Sequence, residues 1–178
     1  MRVPIGWLRE FVDLPDGADS IADRLASLGF PVAEIERRPQ LSGVVIGKVL
    51  DTAKHPNADR LQVAHIDAGD PEPLTIATAA TNVQAGQTIA VARIGAVLPQ
   101  MTIAPRTMRG IASQGMMISA EELALTAEWF EDGIMQFDAQ TPAGADVVDL
   151  FGLNDAVLDV EVTTTDGFTA ELHAERAD

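Results

Sequence analysis

Two hydrophobic rhythms divide the chain. Residues 1–35 carry helical spacing at first: Trp7, Leu8, Phe11 and Val12 share one face of a helix predicted over Pro4–Val12, with Pro4 in a tolerated first-turn position. Ile21, Leu25 and Leu28 recur at i, i+4 and i+7, which predicts a second helix opening at Ser20 and stopped by Gly29. Asp23 stands where a capping box would have Glu or Gln. Phe30–Ile35 reads as a strand, and the polar run Glu36–Gln40, broken by Pro39, as a linker.

From Gly43 the period shortens to two. Val44–Leu50 is rich in β-branched residues, with Gly47 marking a bulge or a bend. Gln62–Asp67 alternates polar and apolar, as a half-buried strand does. Leu74–Ala80 and Thr88–Ile94 are further strands, Gly95–Thr102 is a loop with a strand remnant, and Gly115–Ile118 is a short strand. Short strands with turn chemistry between them predict a small barrel or sandwich, and the count suits a five-stranded OB barrel. Ser119-Ala120-Glu121-Glu122 is a capping box opening a short helix to about Leu125. Trp129–Gly133 reads as an aromatic loop, Gly133–Phe137 as an alternating segment that closes the barrel, and Asp146–Leu150 as a helical turn. Val157–Val162 alternates cleanly, with its acidic face toward solvent.

Composition narrows the class. At 178 residues and 47% hydrophobic, the chain can bury a core in one or two domains. No apolar run is long enough to span a bilayer, and the first residues lack the features of a secretory signal, so cytoplasm is the expected compartment. Cysteine is absent, which excludes disulfides and thiolate metal sites. His55, His65 and His173 have no metal-site spacing, and no Gly-rich phosphate loop or nucleophile elbow occurs. No catalytic residue, cofactor or metal is therefore expected. The net charge is −15, with no basic segment when the chain is counted in large blocks. Any RNA surface would have to be a local patch on an acidic body.

One polar stretch exceeds what a turn needs: Lys54-His55-Pro56-Asn57-Ala58-Asp59-Arg60-Leu61, between two β runs. Its downstream counterpart is Arg109-Gly110-Ile111-Ala112-Ser113-Gln114-Gly115-Met116-Met117-Ile118-Ser119. With Val44–Val49, Asn82-Val83 and Gly95-Ala96-Val97-Leu98-Pro99, these resemble the tRNA-binding OB-fold module of several synthetases and free-standing tRNA-binding proteins. The opening Met1–Leu14 is similar to the start of bacterial phenylalanyl-tRNA synthetase β subunits, and the resemblance runs to about Val162.

That resemblance implies a mainly β, α+β fold. An OB barrel at 41–150 is inserted into a small discontinuous α+β domain, residues 1–40 plus 151–178. It implies a non-catalytic module that binds tRNA or other structured RNA weakly and salt-dependently. Synthetase subunits or a second copy are further candidate partners, and no membrane is expected. Candidate RNA contacts are Lys48, Lys54, His55, Asn57, Arg60, Arg93, Arg106, Arg109 and Ser113. Ser113 and Met116 serve equally well to order the barrel, Asp59 suits bracing the loop, and Arg37-Arg38 is a solvated turn or an RNA contact.

Some residues depart from the family. The segment before Arg109 is commonly lysine-rich there, and here reads Met101–Met108; residues 77–81 lack its Cys-Gly-Ala-Pro pattern. After Val162 the usual Thr-Pro-Asn-Arg-Pro-Asp is replaced by Thr163-Thr164-Thr165-Asp166-Gly167-Phe168, and the sequence ends at Asp178. The expectation is a detached or truncated module without the editing and catalytic-like domains. The alternative is a protein-interaction scaffold that kept the fold and lost RNA, which the acidic charge favours.

Overall fold

The computed structural model describes residues 1–14, 17–37, 40–125 and 132–162, arranged in two compact units. The first takes Met1–Arg38 with the segment from Asp155, and the second takes Pro39–Asn154.

The first unit is a three-stranded antiparallel sheet with two helices. Strands β1 (Arg2–Pro4) and β2 (Val32–Arg37) flank β11 (Ala156–Val160), which follows the second unit in sequence. Val3 sits opposite Leu158, and Ile35 opposite the same residue on the other side. Helix α1 (Ile5–Arg9) is shorter than the periodicity predicts: Pro4 belongs to β1 and is the extended cap of the helix, and at the other end the chain leaves the helix at Glu10, where a turn follows with the Phe11 N–H donating to the Leu8 carbonyl at 3.0 Å. The anticipated apolar face is split: Leu8 packs on the core, while Trp7 is 54% and Phe11 68% exposed, their rings meeting edge to face at 5.3 Å. Ile5 goes inside instead, with Val3, Ile21, Leu158 and Val160. Helix α2 (Ala18–Ser27) begins at a Gly17 cap without a side-chain hydrogen bond, and Gly29 (φ +91°) follows its end.

The second unit is the barrel. Strand β3 (Ser42–Lys54) lies between β4 (Gln62–Asp67) and β6 (Thr88–Val97); β5 (Leu74–Thr78) pairs β4, and β9 (Gly115–Met117) pairs β6. The five-stranded order is β5-β4-β3-β6-β9, with β10 (Gln136–Phe137) continuing along the β6 edge. Side chains close the seam between β5 and β9. The Ala77 N–H donates to Ser113 Oγ at 3.2 Å, and the Thr75 N–H to Gln114 Oε1 at 2.7 Å. These give the β5 edge partners that a fifth, closing ladder would otherwise supply.

Val49, Ile66, Ile76, Ile89, Val91 and Met117 fill the barrel. The opposite faces of β3 and β6 are also buried, with Ile46, Ala90, Met135, Val147 and Leu153 in a second cluster. Burial on both faces explains why Val44-Val45-Ile46 is continuously apolar rather than alternating. Gly47 is a close approach: a Cβ there would lie 2.5 Å from Ile66 and 2.8 Å from Val91. The register shifts of β3 fall elsewhere, between Ser42 and Val44 and between Val49 and Asp51.

Ser119-x-x-Glu122 makes half of its predicted box. The Ser119 N–H and hydroxyl both donate to Glu122 Oε2, and only a 3-10 turn, Glu121–Leu123, follows. The expected aromatic loop falls largely on residues 126–131, outside the described residues. Helix α3 (Val147–Leu150) is capped by Asp146, which accepts from the Val148 N–H at 2.7 Å. Next to it, Asn154 pairs with Leu41 as a strand residue would: the Leu41 N–H donates to Asn154 Oδ1 at 2.9 Å, and Asn154 Nδ2 to the Leu41 carbonyl at 3.0 Å.

Candidate nucleic-acid interface

The β3–β4 connection, residues 55–61, is a compact loop. The His55 N–H donates to the Leu61 carbonyl at 3.0 Å, and the Leu61 N–H to the Ala58 carbonyl at 3.1 Å. His55 itself is 5% exposed and works as a buckle. Its Nδ1 accepts from the Asn57 N–H at 3.1 Å. That leaves Nε2 as the protonated nitrogen, 3.0 Å from the Met108 carbonyl to which it donates. Asn57 adds a second link, its Nδ2 donating to the Arg109 carbonyl at 3.3 Å.

Both links end on a hairpin that sequence patterning does not reveal. Strands β7 (Arg106–Met108) and β8 (Ile111–Ser113) pair antiparallel, with Met108 opposite Ile111. The two-residue turn is Arg109 (φ +48°) and Gly110 (φ +100°), the backbone of a type I′ hairpin. That turn usually signals itself as Asn-Gly or Asp-Gly; an arginine in the left-handed position hides it.

The two motif stretches are thus clasped to each other, and their cations go to the surface. Lys54, Arg60, Arg106 and Arg109 are all exposed, and none has a carboxylate partner among the described residues. Asp59 is the only acidic residue in 54–61, and 73–120 contains none. This acid-free run of 48 residues was the readable signal of a local positive patch, and block-wise charge counting averages it away.

The other candidates are placed differently. Ser113 is buried at the foot of the hairpin, its hydroxyl accepting from the Ala77 N–H and donating to the Gly115 carbonyl at 3.0 Å. Arg93, on β6, donates to Asp70 at 3.1 Å and to the Ala68 carbonyl at 2.7 Å. Lys48 is half-buried in the middle of β3, between Asp67 and Thr88 in the ladders. Neither strand residue belongs to the clasp. Among the described residues no group of three or more His, Asp or Glu side chains is placed to hold a metal. The one His–Asp pair among them, His65 with Asp51 at 2.8 Å, is exposed.

Comparison with known proteins places the chain in a family. A phenylalanine–tRNA ligase β subunit of Synechococcus elongatus is 44% identical over 168 residues, covering 92% of this chain and 20% of the relative. The corresponding subunit of Trichormus variabilis is 44% identical over 167 residues, with the same two shares. The chain therefore spans about a fifth of the length of the curated relatives it matches. A solved structure, a MetRS-related protein from Pyrococcus horikoshii, is 22% identical; the match covers 76% of this chain and 99% of that one, at a TM-score of 0.43. The family described as "Putative tRNA binding domain" matches residues 44–146, more than half of the chain and nearly the whole barrel unit. With a five-stranded barrel and both family motifs clasped at one end of it, the chain belongs to the tRNA-binding domain family.

Proposed function

We propose that the protein is a non-catalytic RNA-binding module that engages tRNA, or RNA of similar structure, through the clasp. One observation carries this reading. Four cations without acidic partners among the described residues stand on two loops locked together by His55 and Asn57, in a chain of net charge −15. Cations already committed to carboxylates can bind phosphate only after breaking an ion pair; these need break none. OB folds use this same end, with the loops after their first and fourth strands flanking the binding face. Lys54, Arg60, Arg106 and Arg109 contact phosphates in this reading, and His55, Asn57 and Ser113 hold the loops that carry them. The barrel unit is the RNA-binding part of the division at 41–150 inferred from the family.

Similarity to a synthetase β subunit extends the proposal to a place in translation, in the cytoplasm and beside other synthetase subunits. No helix among the described residues is long and apolar enough to cross a membrane. Outward-facing Trp7 and Phe11 favour a second, protein-binding role for the first unit.

Fluorescence anisotropy of the purified chain with bulk tRNA, titrated with salt, tests the reading. Saturable binding should weaken steeply as salt rises, and R60Q/R109Q should flatten the log–log slope by about one to two. No binding at low salt, or an unchanged slope in the double variant, removes the clasp from RNA recognition and turns attention to protein partners.

A further inference from the structure

A pocket of about 590 Å³ opens beside the clasp, within the 300–1,000 Å³ or so typical of small-molecule sites. It lies wholly in the barrel unit, between the segment after β5 and the chain leading into the hairpin. Ala79, Met101, Ala104, Arg106, Met108 and Met116 give it its character. Its one carboxylate, Glu122, is occupied with Ser119, at 2.6 Å from the N–H and 2.9 Å from the hydroxyl.

We propose that this pocket receives one unstacked nucleobase of the bound RNA, with Arg106 at its rim holding the adjoining phosphate. The inference rests on the RNA reading above and adds a site to it. Three facts favour a base over other occupants. First, the pocket is continuous with the cationic surface: Arg106 lines it, and Met108, another lining residue, carries the carbonyl that anchors His55. Second, apart from Glu122 its lining has no acidic side chain, and most of it comes from the acid-free run 73–120, so a polyanion can approach without repulsion. Third, thioethers are flexible and polarisable, and they pack well against an aromatic face. Such a pocket accepts any base by its face, without reading the edge. It cannot take a base held in a duplex, so it selects single-stranded loops and ends.

The test uses the full chain with 13C-methyl methionine and 15N-arginine labels, titrated with a mixed-sequence single-stranded RNA octamer and with its duplex. The single strand should move the Met101, Met108 and Met116 methyl signals upfield, as a ring stacked on a methyl requires, and leave Met1 and Met135 in place. The duplex should move the Arg60, Arg106 and Arg109 side-chain signals and leave those three methyl signals in place. A79W, which fills the mouth from an exposed position, should cost about tenfold in single-strand affinity and bring it to the duplex value. Methionine signals that stay fixed while the arginine signals move would overturn the pocket and leave the RNA reading intact. If neither set moves, the RNA reading itself fails. The methyl readout needs only the unaltered protein, so misfolding of A79W would not blunt it.

Discussion

The first unit and the clasp of the second use their cations in opposite ways. In the first, Arg2 pairs with Glu36 and Arg37 with Asp19, while Arg9 and Arg24 also have partners. Every described arginine there is committed. In the second, the four clasp cations have no such partner among the described residues. Both units belong to one acidic chain, so net charge does not distinguish them. What differs is whether a cation is already held by another group of the protein, as Arg2 and Arg37 are by carboxylates. An exposed ion pair contributes only ~0–1 kcal/mol to stability, yet it keeps its cation occupied. The clasp forgoes that small gain and leaves its positive charge available.

The comparison is broken most directly by neutralising the clasp. K54Q/R60Q/R106Q/R109Q should lower tRNA affinity on the order of a hundredfold at low salt, measured by anisotropy. R2Q/R37Q, which removes two cations from the first unit, should leave that affinity within about twofold of the parent. Comparable losses in the two variants would mean that charge acts globally and that the clasp has no special standing.

A smaller effect should come from unbuckling the loops while keeping every charge. H55A removes both ring hydrogen bonds and strands the Met108 carbonyl, which should cost about 1–3 kcal/mol in urea unfolding. RNA affinity should fall roughly tenfold, because preorganisation is lost while the four cations remain. Unchanged affinity in a destabilised H55A protein would show that the cations act independently of the clasp.

The smallest effect, and the most discriminating, concerns Arg109. Its left-handed backbone costs an L-residue about 1–2 kcal/mol, and asparagine tolerates that conformation better. R109N should therefore raise stability slightly, by roughly 0.5–1 kcal/mol in urea unfolding, while weakening RNA binding. A gain in stability with a loss in binding would identify the strain as one retained for function. A loss in both would place Arg109 in the architecture instead.

How far the sequence revealed these regions follows from how local their causes are. Strand β4 was legible to the residue because its alternation is local; α2 was legible from Ile21, Leu25 and Gly29, but it opens at Ala18 rather than at the expected Ser20, because a Gly17 cap without a side-chain bond leaves no signal. The outward turn of Trp7 and Phe11 was not, because periodicity defines a face without saying what covers it. The β7–β8 hairpin was hidden by an arginine in a glycine-like conformation, and Pro105 stands just before its first strand. The pairing of β1 and β2 around β11 joins residues more than a hundred positions apart, which no window can detect; it was expected only through family resemblance. The clasp's residues were readable as types at fixed positions. Their division into those that face solvent and those that hold the loops needed the hydrogen bonds of His55, Asn57 and Ser113.

The carboxamide of Asn154, hydrogen-bonded to Leu41 at both ends, has a bearing on how the first unit forms. To assemble its sheet, β11 must find β2 across the 118 residues from Arg38 to Asp155. In a disordered chain that closure carries the entropy of a long loop. Once the barrel has folded, Leu41 and Asn154 are fastened, and the gap behaves as a linker of about five residues. The difference amounts to between four and five halvings of loop length, roughly 2–3 kcal/mol. A barrel that folds first thereby converts a long-range pairing into a short one, and N154A should slow the refolding of the first unit.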